Sequence, residues 1–337
     1  MTTRAPGTAG ATLTGLRLHR TVTARTPASS ANLGPGFDSL GLALALHDEV
    51  SVTAAEPGSV GHAEDIYRPG AAVEVEGEGA GAVPLGEDHL VVRSLRAGLA
   101  HAGVAQPALQ LQCRNAIPHG RGLGSSAAAI AVGLVLARGL LTEPERLADE
   151  ALYALAAAAE GHPDNASAAL YGGFTISWTE PELLRPHLHR VGVVRLDVDP
   201  RLRVVVCVPG QELATSRARA MLPATVPHAD AAFTAGRAAL LVHALTAAPE
   251  LLLAATQERL HQQQRAPAMP ATAALVAAVR ERGGAAVVSG AGPSVLVLGP
   301  GDAPADAVGA ALSADGERLG QWQVHALAVA ATGTVLT

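Results

Sequence analysis

The segment Ile117-Pro118-His119-Gly120-Arg121-Gly122-Leu123-Gly124-Ser125-Ser126-Ala127-Ala128 sets glycines at alternate positions directly before an alanine-rich run. Glycine lets backbone N–H groups turn toward a ligand with no Cβ in the way. A helix opened by Ser125 and Ser126 adds unpaired N–H groups and the positive end of its dipole. Together these favour an anion, with phosphate the leading candidate. The same residues, taken alone, also suit a glycine turn entering a buried helix. Gly122-x-Gly124-x-x-Ala127 fits the relaxed dinucleotide fingerprint, which requires an acidic residue about 20 positions on, at the end of a second strand. Leu141-Thr142-Glu143-Pro144-Glu145 occupies that place and reads as a turn leading into a helix, so a dehydrogenase is disfavoured.

Three other clusters carry chemistry. Glu160-Gly161-His162-Pro163-Asp164-Asn165 packs two carboxylates, an imidazole and an amide around a proline turn. A magnesium ion shared with ATP takes one or two carboxylates plus phosphate oxygens and waters, and Glu160 or Asp164 fits that need. Pro27 to Asp38 is dense in turn formers and carries the Asn32 amide and the Asp38 carboxylate. Gly290-Ala291-Gly292-Pro293-Ser294 is a tight turn between two apolar strands. Each admits a plain structural reading when taken singly: a helix cap, a connecting loop, a hairpin.

The elements that must position these residues follow from periodicity. Strands are expected at 20–25, 49–54, 73–76 and 108–114, then a helix over 125–140 and another over 145–159 with Pro144 in its first turn. A strand over 172–178 follows, and the Pro-containing stretch 179–190 is the expected domain crossing. Beyond it come strands at 193–198 and 203–208, helices near 215–221, 229–247 and 270–282, and strands at 285–289, 294–298 and 323–328. Strands and helices mix without regular alternation, which indicates an α+β fold. Residues 1–18 lack periodicity and read as a loose tail, with one domain over 19–185 and a second over 186–337.

Composition narrows the chemistry. The chain has 337 residues, a net charge of −6 and 2% aromatics, which argues against nucleic acid and leaves a small molecule as the expected partner. Every basic residue is arginine. The absence of lysine excludes a Walker loop, a protein-kinase fold and Schiff-base chemistry. Cys113 and Cys207 sit in apolar runs and read as core residues in a reducing cytoplasm. No apolar stretch reaches the roughly twenty residues of a membrane span, and the N-terminus lacks a secretory signal.

In order and spacing, Pro-Ala-Ser-Ser-Ala-Asn-Leu-Gly-Pro-Gly-Phe-Asp (27–38), Pro-x-x-x-Gly-Leu-Gly-Ser-Ser-Ala (118–127) and Ser-Gly-Ala-Gly-Pro-Ser (289–294) resemble the GHMP family of small-molecule kinases. The resemblance runs from about Val22 to the last strand. It takes in Glu160 to Asn165, Thr215-x-x-Ala218-Arg219-x-x-Leu222-Pro223 and Arg265-x-x-x-Met269-Pro270. It implies a ribosomal-S5-like N-terminal domain and a ferredoxin-like C-terminal domain with the active site between them. By the same resemblance, Pro118 to Ala128 wrap the phosphates of ATP, and Ser126 and Glu160 are the Mg2+ ligands. The pattern is nearest to members that phosphorylate homoserine to O-phospho-L-homoserine, the precursor of threonine. Asn32, Asp38, His162, Asp164, Arg219 and Arg265 then line the substrate pocket.

Two arginines suit a carboxylate, Asp38 suits an ammonium, and Asn32 and Asn165 remain to orient the hydroxyl. Some relatives deprotonate the acceptor with a lysine–aspartate pair, which cannot form here, so the base is absent or is Asp38 or Asp164. Ala166-Ser167-Ala168-Ala169 departs from the commoner Val-Ala-Pro-Ala run and bears on pocket shape. Relatives are often dimers, which makes a homodimer part of the expectation. The alternatives are another small alcohol such as mevalonate or a sugar, and a non-catalytic nucleotide-binding module.

Overall fold

The computed structural model describes residues 13–56, 70–180 and 191–337. The loose tail expected over 1–18 lies outside the described residues as far as 12. Residues 13–18 are tied down: the Arg17 N–H donates to the Leu140 carbonyl at 2.8 Å and Leu16 bridges to Leu141.

The N-terminal half opens with β1 (Thr21–Asn32) and β2 (Gly36–Ala55), an antiparallel hairpin whose register shifts at Pro27/Ala28 and again at Ala31/Asn32. Proline cannot donate to a ladder, so a shift beside Pro27 accommodates it. What reads as a shaped loop over 27–38 is therefore mostly strand. After β3 (Ala71–Gly77) come α1 (Leu90–His101), β4 (Ala108–Asn115), α2 (Ser125–Leu140), α3 (Asp149–Glu160), α4 (Pro163–Tyr171), β5 (Phe174–Thr179) and β6 (Val191–Leu196). The long β2 pairs with β4 along its second half and with β5 along its first, and β3 joins β4 in parallel. Helices α1, α2 and α3 bury Leu95, Leu99, Leu134, Val135 and Leu152 against Val50, Val52 and Leu111 of the sheet. Burying each such side chain stabilises the fold by about 1.5–3 kcal/mol.

The C-terminal half comprises β7 (Leu202–Pro209), α5 (Thr215–Ala220), α6 (His228–Thr246), the short α7 (Leu252–Ala255) and α8 (Gln262–Arg265), α9 (Pro270–Glu281), β8 (Ala285–Val288), β9 (Val295–Pro300), α10 (Ala303–Leu319) and β10 (Trp322–Leu327). Its strands form an antiparallel sheet in the order β10-β7-β9-β8. That order with βαβ-βαβ connectivity is the ferredoxin-like arrangement. Alternation along β7 sends Val204, Val206 and Val208 to one core and Val205 and Cys207 to the other. The first of these cores also contains Leu40, Leu42, Leu44 and Phe174 of the other half, so the two halves share apolar packing.

The expected boundary after residue 185 needs adjusting. The segment 181–190 lies outside the described residues, but β6 beyond it pairs with β5 in the first sheet. The crossing into the second sheet therefore falls between Leu196 and Leu202. The last strand, β11 (Val335–Leu336), returns to pair with β1. Among the described residues no helix is long and apolar enough to cross a membrane. Cys113 and Cys207 are both free and buried, as their apolar runs imply.

Candidate active site

The glycine loop lies where the two halves meet. Gly120, Gly122 and Gly124 have φ of +64°, +74° and +68°. A Cβ on Gly122 would stand 2.3 Å from the Ser289 carbonyl oxygen and 2.8 Å from that of Gly292. The tight turn over 290–294 thus approaches the loop itself, which answers what that turn is for. Four successive carbonyls of the loop are used by protein donors. Gly120 O accepts from Leu213 N at 2.9 Å, Arg121 O from Ser294 N at 3.3 Å and Leu123 O from Ser29 N at 3.0 Å. Gly122 O accepts from Ser289 Oγ at 2.6 Å. With the carbonyls turned into the protein, the backbone N–H groups from Gly120 to Ala127 have no partner among the described residues. This run of donors, continued by the first turn of α2, is a nest for an anion.

A cavity of about 140 Å3 opens beside that nest. The wall formed by the loop and the start of α2 is Gly120, Gly122, Gly124, Ser125 and Ser126. Here Ser126 Oγ donates to Glu160 Oε2 at 2.6 Å, and burial raises the Glu160 pKa. Of the residues expected to wrap phosphate, Pro118, Leu123, Ala127 and Ala128 are buried in the core and contribute no side chain. Arg121 does not reach the cavity: it donates to the carbonyls of Pro209, Gly210 and His119 and straps the loop to β7. His119 lines a neighbouring cavity.

The opposite wall gathers Asn32, Asp38, His162, Asp164, Arg219 and Arg265, with Asn165 between the two ends. The expected pairing is altered by what the residues do to each other. Asp38 and Arg219 form a two-pronged ion pair at 2.7 and 3.1 Å, which raises the Arg219 pKa. Asn32, with φ +68°, spends its amide on the protein: Nδ2 donates to the Gly290 carbonyl at 2.9 Å and Oδ1 accepts from the Asp38 N–H at 3.0 Å. It braces the β1–β2 turn against the second half. Asn165 Oδ1 accepts from Ser29 Oγ at 2.9 Å, and its Nδ2 has no partner among the described residues.

Asp164, in the first turn of α4, is 3% exposed. Its Oδ1 accepts from the Asn165 N–H at 2.7 Å and its other oxygen has no partner. Burial, with the nearby Asp38 and Glu160 charges adding to it, pushes its pKa up to about 7. His162 is held below its ordinary value by burial and by Arg219. Arg265 is 1% exposed, its pKa lowered by burial and by Arg219. It donates from Nε to the Ala218 carbonyl at 3.3 Å and from Nη1 toward His261 Nδ1, also at 3.3 Å.

Two features escaped the sequence reading. The Phe37 ring carries Arg265 5.4 Å and Arg219 5.5 Å from its centroid, with His261 at 5.1 Å. Phe37 lay within the quoted motif, but nothing there marks a hub for two guanidiniums. A second cavity of about 270 Å3 lies beyond the start of α2 and shares Ser125 and Ser126 with the first. It is lined by Val83, Pro84, Leu90 and Val132, with His89 Nδ1 buried and unpartnered. Its residues come from separate segments with no common spacing.

Comparison with known proteins matches this architecture. Residues 89–173 match the GHMP kinases N terminal domain and residues 236–318 the GHMP kinases C terminal domain. A homoserine kinase from Rhodococcus erythropolis is 50% identical over 301 residues, covering 88% of this chain and 92% of that one. The crystal structure of a homoserine kinase from Cytophaga hutchinsonii superposes with a TM-score of 0.76 at 23% identity, covering 95% of this chain and 99% of that one. The mevalonate kinase of L. major superposes at 0.64 with 15% identity, covering 93% and 98%. Fold and site together define a small-molecule kinase built on the two-domain GHMP plan. The chain belongs to the homoserine kinase family of that class.

Proposed function

We propose that the chain transfers the γ-phosphoryl group of ATP to the primary hydroxyl of L-homoserine, giving O-phospho-L-homoserine for threonine synthesis. The observation that carries this reading is the junction of a backbone N–H nest with a pocket holding two guanidiniums and two carboxylates. Homoserine presents one carboxylate, one ammonium and one hydroxyl. Arg219 and Arg265 receive its carboxylate and Asp38 its ammonium, so the single Asp38–Arg219 ion pair is replaced by two. An uncharged sugar offers no such exchange, and mevalonate brings no ammonium for Asp38.

The triphosphate lies along the N–H groups of Gly120 to Ala127, and the base occupies the cavity beyond Ser125 and Ser126, where the unpartnered His89 Nδ1 waits for a polar edge. Ser126 and Glu160, a hydroxyl and a carboxylate 2.6 Å apart, fit a hard divalent cation completed by phosphate oxygens. Mg2+ bound there would neutralise charge on the phosphoryl group. Among the described residues no set of three or more His, Cys, Asp or Glu side chains could hold a metal without such help.

Asn165 Nδ2 orients the acceptor oxygen. As the new O–P bond forms and ADP departs, the hydroxyl proton passes to the unpartnered oxygen of Asp164. Asp38 is unsuited to that role, since Arg219 holds both its oxygens before the substrate binds and the substrate ammonium claims it afterwards. Alignment and charge stabilisation supply most of the rate, because the transition state is loose. Reduced buried thiols fit a cytoplasmic setting. Exposed Trp178 and Val194, on β5 and the edge strand β6, offer an apolar face for the expected homodimer, which light scattering tests. The activity is tested by ADP release with ATP and Mg2+ against homoserine, serine, threonine, mevalonate and galactose. Homoserine is expected to give by far the highest kcat/KM, and turnover of another alcohol with none of homoserine would overturn the assignment.

A further inference from the structure

A groove of about 330 Å3 runs between α9 and the 256–266 segment, on the far side of the α8 turn from the phosphoryl-transfer cavity. Arg280 lies at one end of it. Its Nη1 donates to Thr256 Oγ1 and to the Ala286 carbonyl, both at 3.0 Å, and Nη2 donates to the Leu253 carbonyl at 2.7 Å. All three acceptors are neutral. Nε has no partner, and among the described residues no carboxylate lies within ion-pair distance, so a half-buried positive charge stands uncompensated. Leaving such a charge alone is costly, and an anion beside it recovers the cost.

The acid that lines the groove does not serve. Glu258, with a side chain 1% exposed, is turned into the backbone, where Oε2 accepts from His261 N at 2.9 Å and Oε1 from Gln262 N at 2.8 Å. The facing wall is apolar and shallow, made by Met269, Ala273, Val276 and Ala277. A guanidinium at one end and a short apolar wall along α9 match a carboxylate with a small aliphatic tail.

The groove backs directly onto the substrate machinery. Gln262 and Arg265 share one helical turn, and Gln262 Oε1 accepts from Val288 N at 2.7 Å, just before the Ser289-Gly290 turn. Met269 packs its sulfur against Gly292 of that turn, and the Gly290 carbonyl is within 3.5 Å of Arg265 Nη1. A ligand pressing on Met269 and Gln262 therefore bears on Arg265. We infer that this groove is a regulatory site for a small aliphatic carboxylate, paired with Arg280, whose occupancy shifts the position of Arg265.

The test uses butyrate as probe and inorganic phosphate as comparison, titrated calorimetrically into the full chain. Saturable butyrate binding is expected, weakened about tenfold or more by Arg280→Met, as befits loss of a charge-assisted pair. Arg280 also holds Thr256, Leu253 and Ala286, so Ala277→Trp serves as the second variant: it fills the groove from the exposed side of α9, leaves those bonds alone and is expected to abolish binding with basal activity unchanged. Butyrate should raise the KM for the alcohol substrate about two- to fivefold in the parent chain and not in Ala277→Trp. No binding, undiminished binding in Ala277→Trp, or phosphate preferred over butyrate each overturns the site. Binding with no change in KM overturns the link to Arg265. The binding arm needs no turnover, so its outcome is independent of which alcohol the enzyme phosphorylates.

Discussion

At the glycine-loop end of the cavity the groups left free among the described residues are backbone N–H groups, aimed by carbonyls that the rest of the protein has captured. At the opposite end they are side chains, and the protein itself engages them: Asp38 with Arg219, Arg265 with His261, Asn32 with the Gly290 carbonyl. The first end is held in place by hydrogen bonds to its backbone from several segments. The second is a set of charges in temporary balance, which a zwitterion can re-partition. Substitutions should therefore act on the two ends differently, by geometry at one and by charge at the other.

The sharpest probe of the charged end is Asp164→Asn. It should lower kcat about 10²–10⁴-fold, the range for loss of a positioned proton acceptor, with little change in the KM for ATP. It should also stabilise the ligand-free protein. Because the folded-state pKa of Asp164 is raised to about 7, the folded chain holds that proton more tightly than the unfolded one, and stability is lost as pH rises from the ordinary carboxylate range through 7. Asparagine removes the penalty, so the gain in Tm is expected to be a few degrees at pH 8 and small at pH 4.5, read by thermal melts. In the parent enzyme kcat/KM should climb with pH and level off above about 7. A variant with full kcat, or one less stable at pH 8, would break the distinction drawn for this end.

Next in size, Gly122→Ala acts on the geometric end. The new Cβ meets two backbone oxygens, at 2.3 and 2.8 Å, in a conformation with φ +74°. Strain of about 1–3 kcal/mol is expected, and the loop must move to relieve it. The result should be a fall of roughly 10²-fold in kcat/KM for ATP and homoserine alike, since the N–H nest serves the step common to both. An effect confined to homoserine in steady-state kinetics would contradict the division.

The difference between the ends also explains what the sequence could disclose. A backbone nest requires positive φ and close approach, which only glycine supplies cheaply, so the loop is written in glycines that anyone can read. Strand β7 was legible for a related reason, since it is buried on both faces and appears as a continuous apolar run, whereas the ferredoxin-like arrangement around it was implied only by the family resemblance. The charged end is not legible in that way. Arg265 resembles any helical arginine until the distant β1–β2 turn brings Phe37 against its guanidinium and the Gly34 carbonyl against neighbouring His261. Elements whose local signals are mixed were passed over. Helix α4 starts on Pro163 and carries Asn165 and Ser167, α10 contains Gly309 and Gly316, and α1 is announced by no side-chain cap. The paired strands β5 and β6 flank a proline-containing stretch that reads as a boundary, and only the pairing itself shows which sheet claims β6.

Arg265→Leu should come next, raising the KM for homoserine about 30- to 100-fold while that for ATP changes little. The expected loss is one charged, buried anchor for the substrate carboxylate. It is limited because Arg219 remains as a second guanidinium. Equal effects on both substrates in initial-rate measurements would remove Arg265 from the carboxylate site.

The smallest effect concerns Phe37, which touches neither phosphate nor, on this reading, the substrate carboxylate. Its ring faces two guanidiniums at 5.4 and 5.5 Å, so like charges that would repel share one aromatic surface. Each such contact is worth about 0.5–1 kcal/mol where partly exposed. Phe37→Leu keeps the bulk and removes the quadrupole. It should raise the KM for homoserine about threefold to tenfold, leave kcat and the KM for ATP near their parent values, and leave the fall in kcat/KM smaller than that of Arg265→Leu. Phe37→Tyr preserves the ring face and should restore parent kinetics. Equal losses in Leu and Tyr would mean that Phe37 acts by packing alone, and that the two arginines are placed by Asp38 and His261 without it.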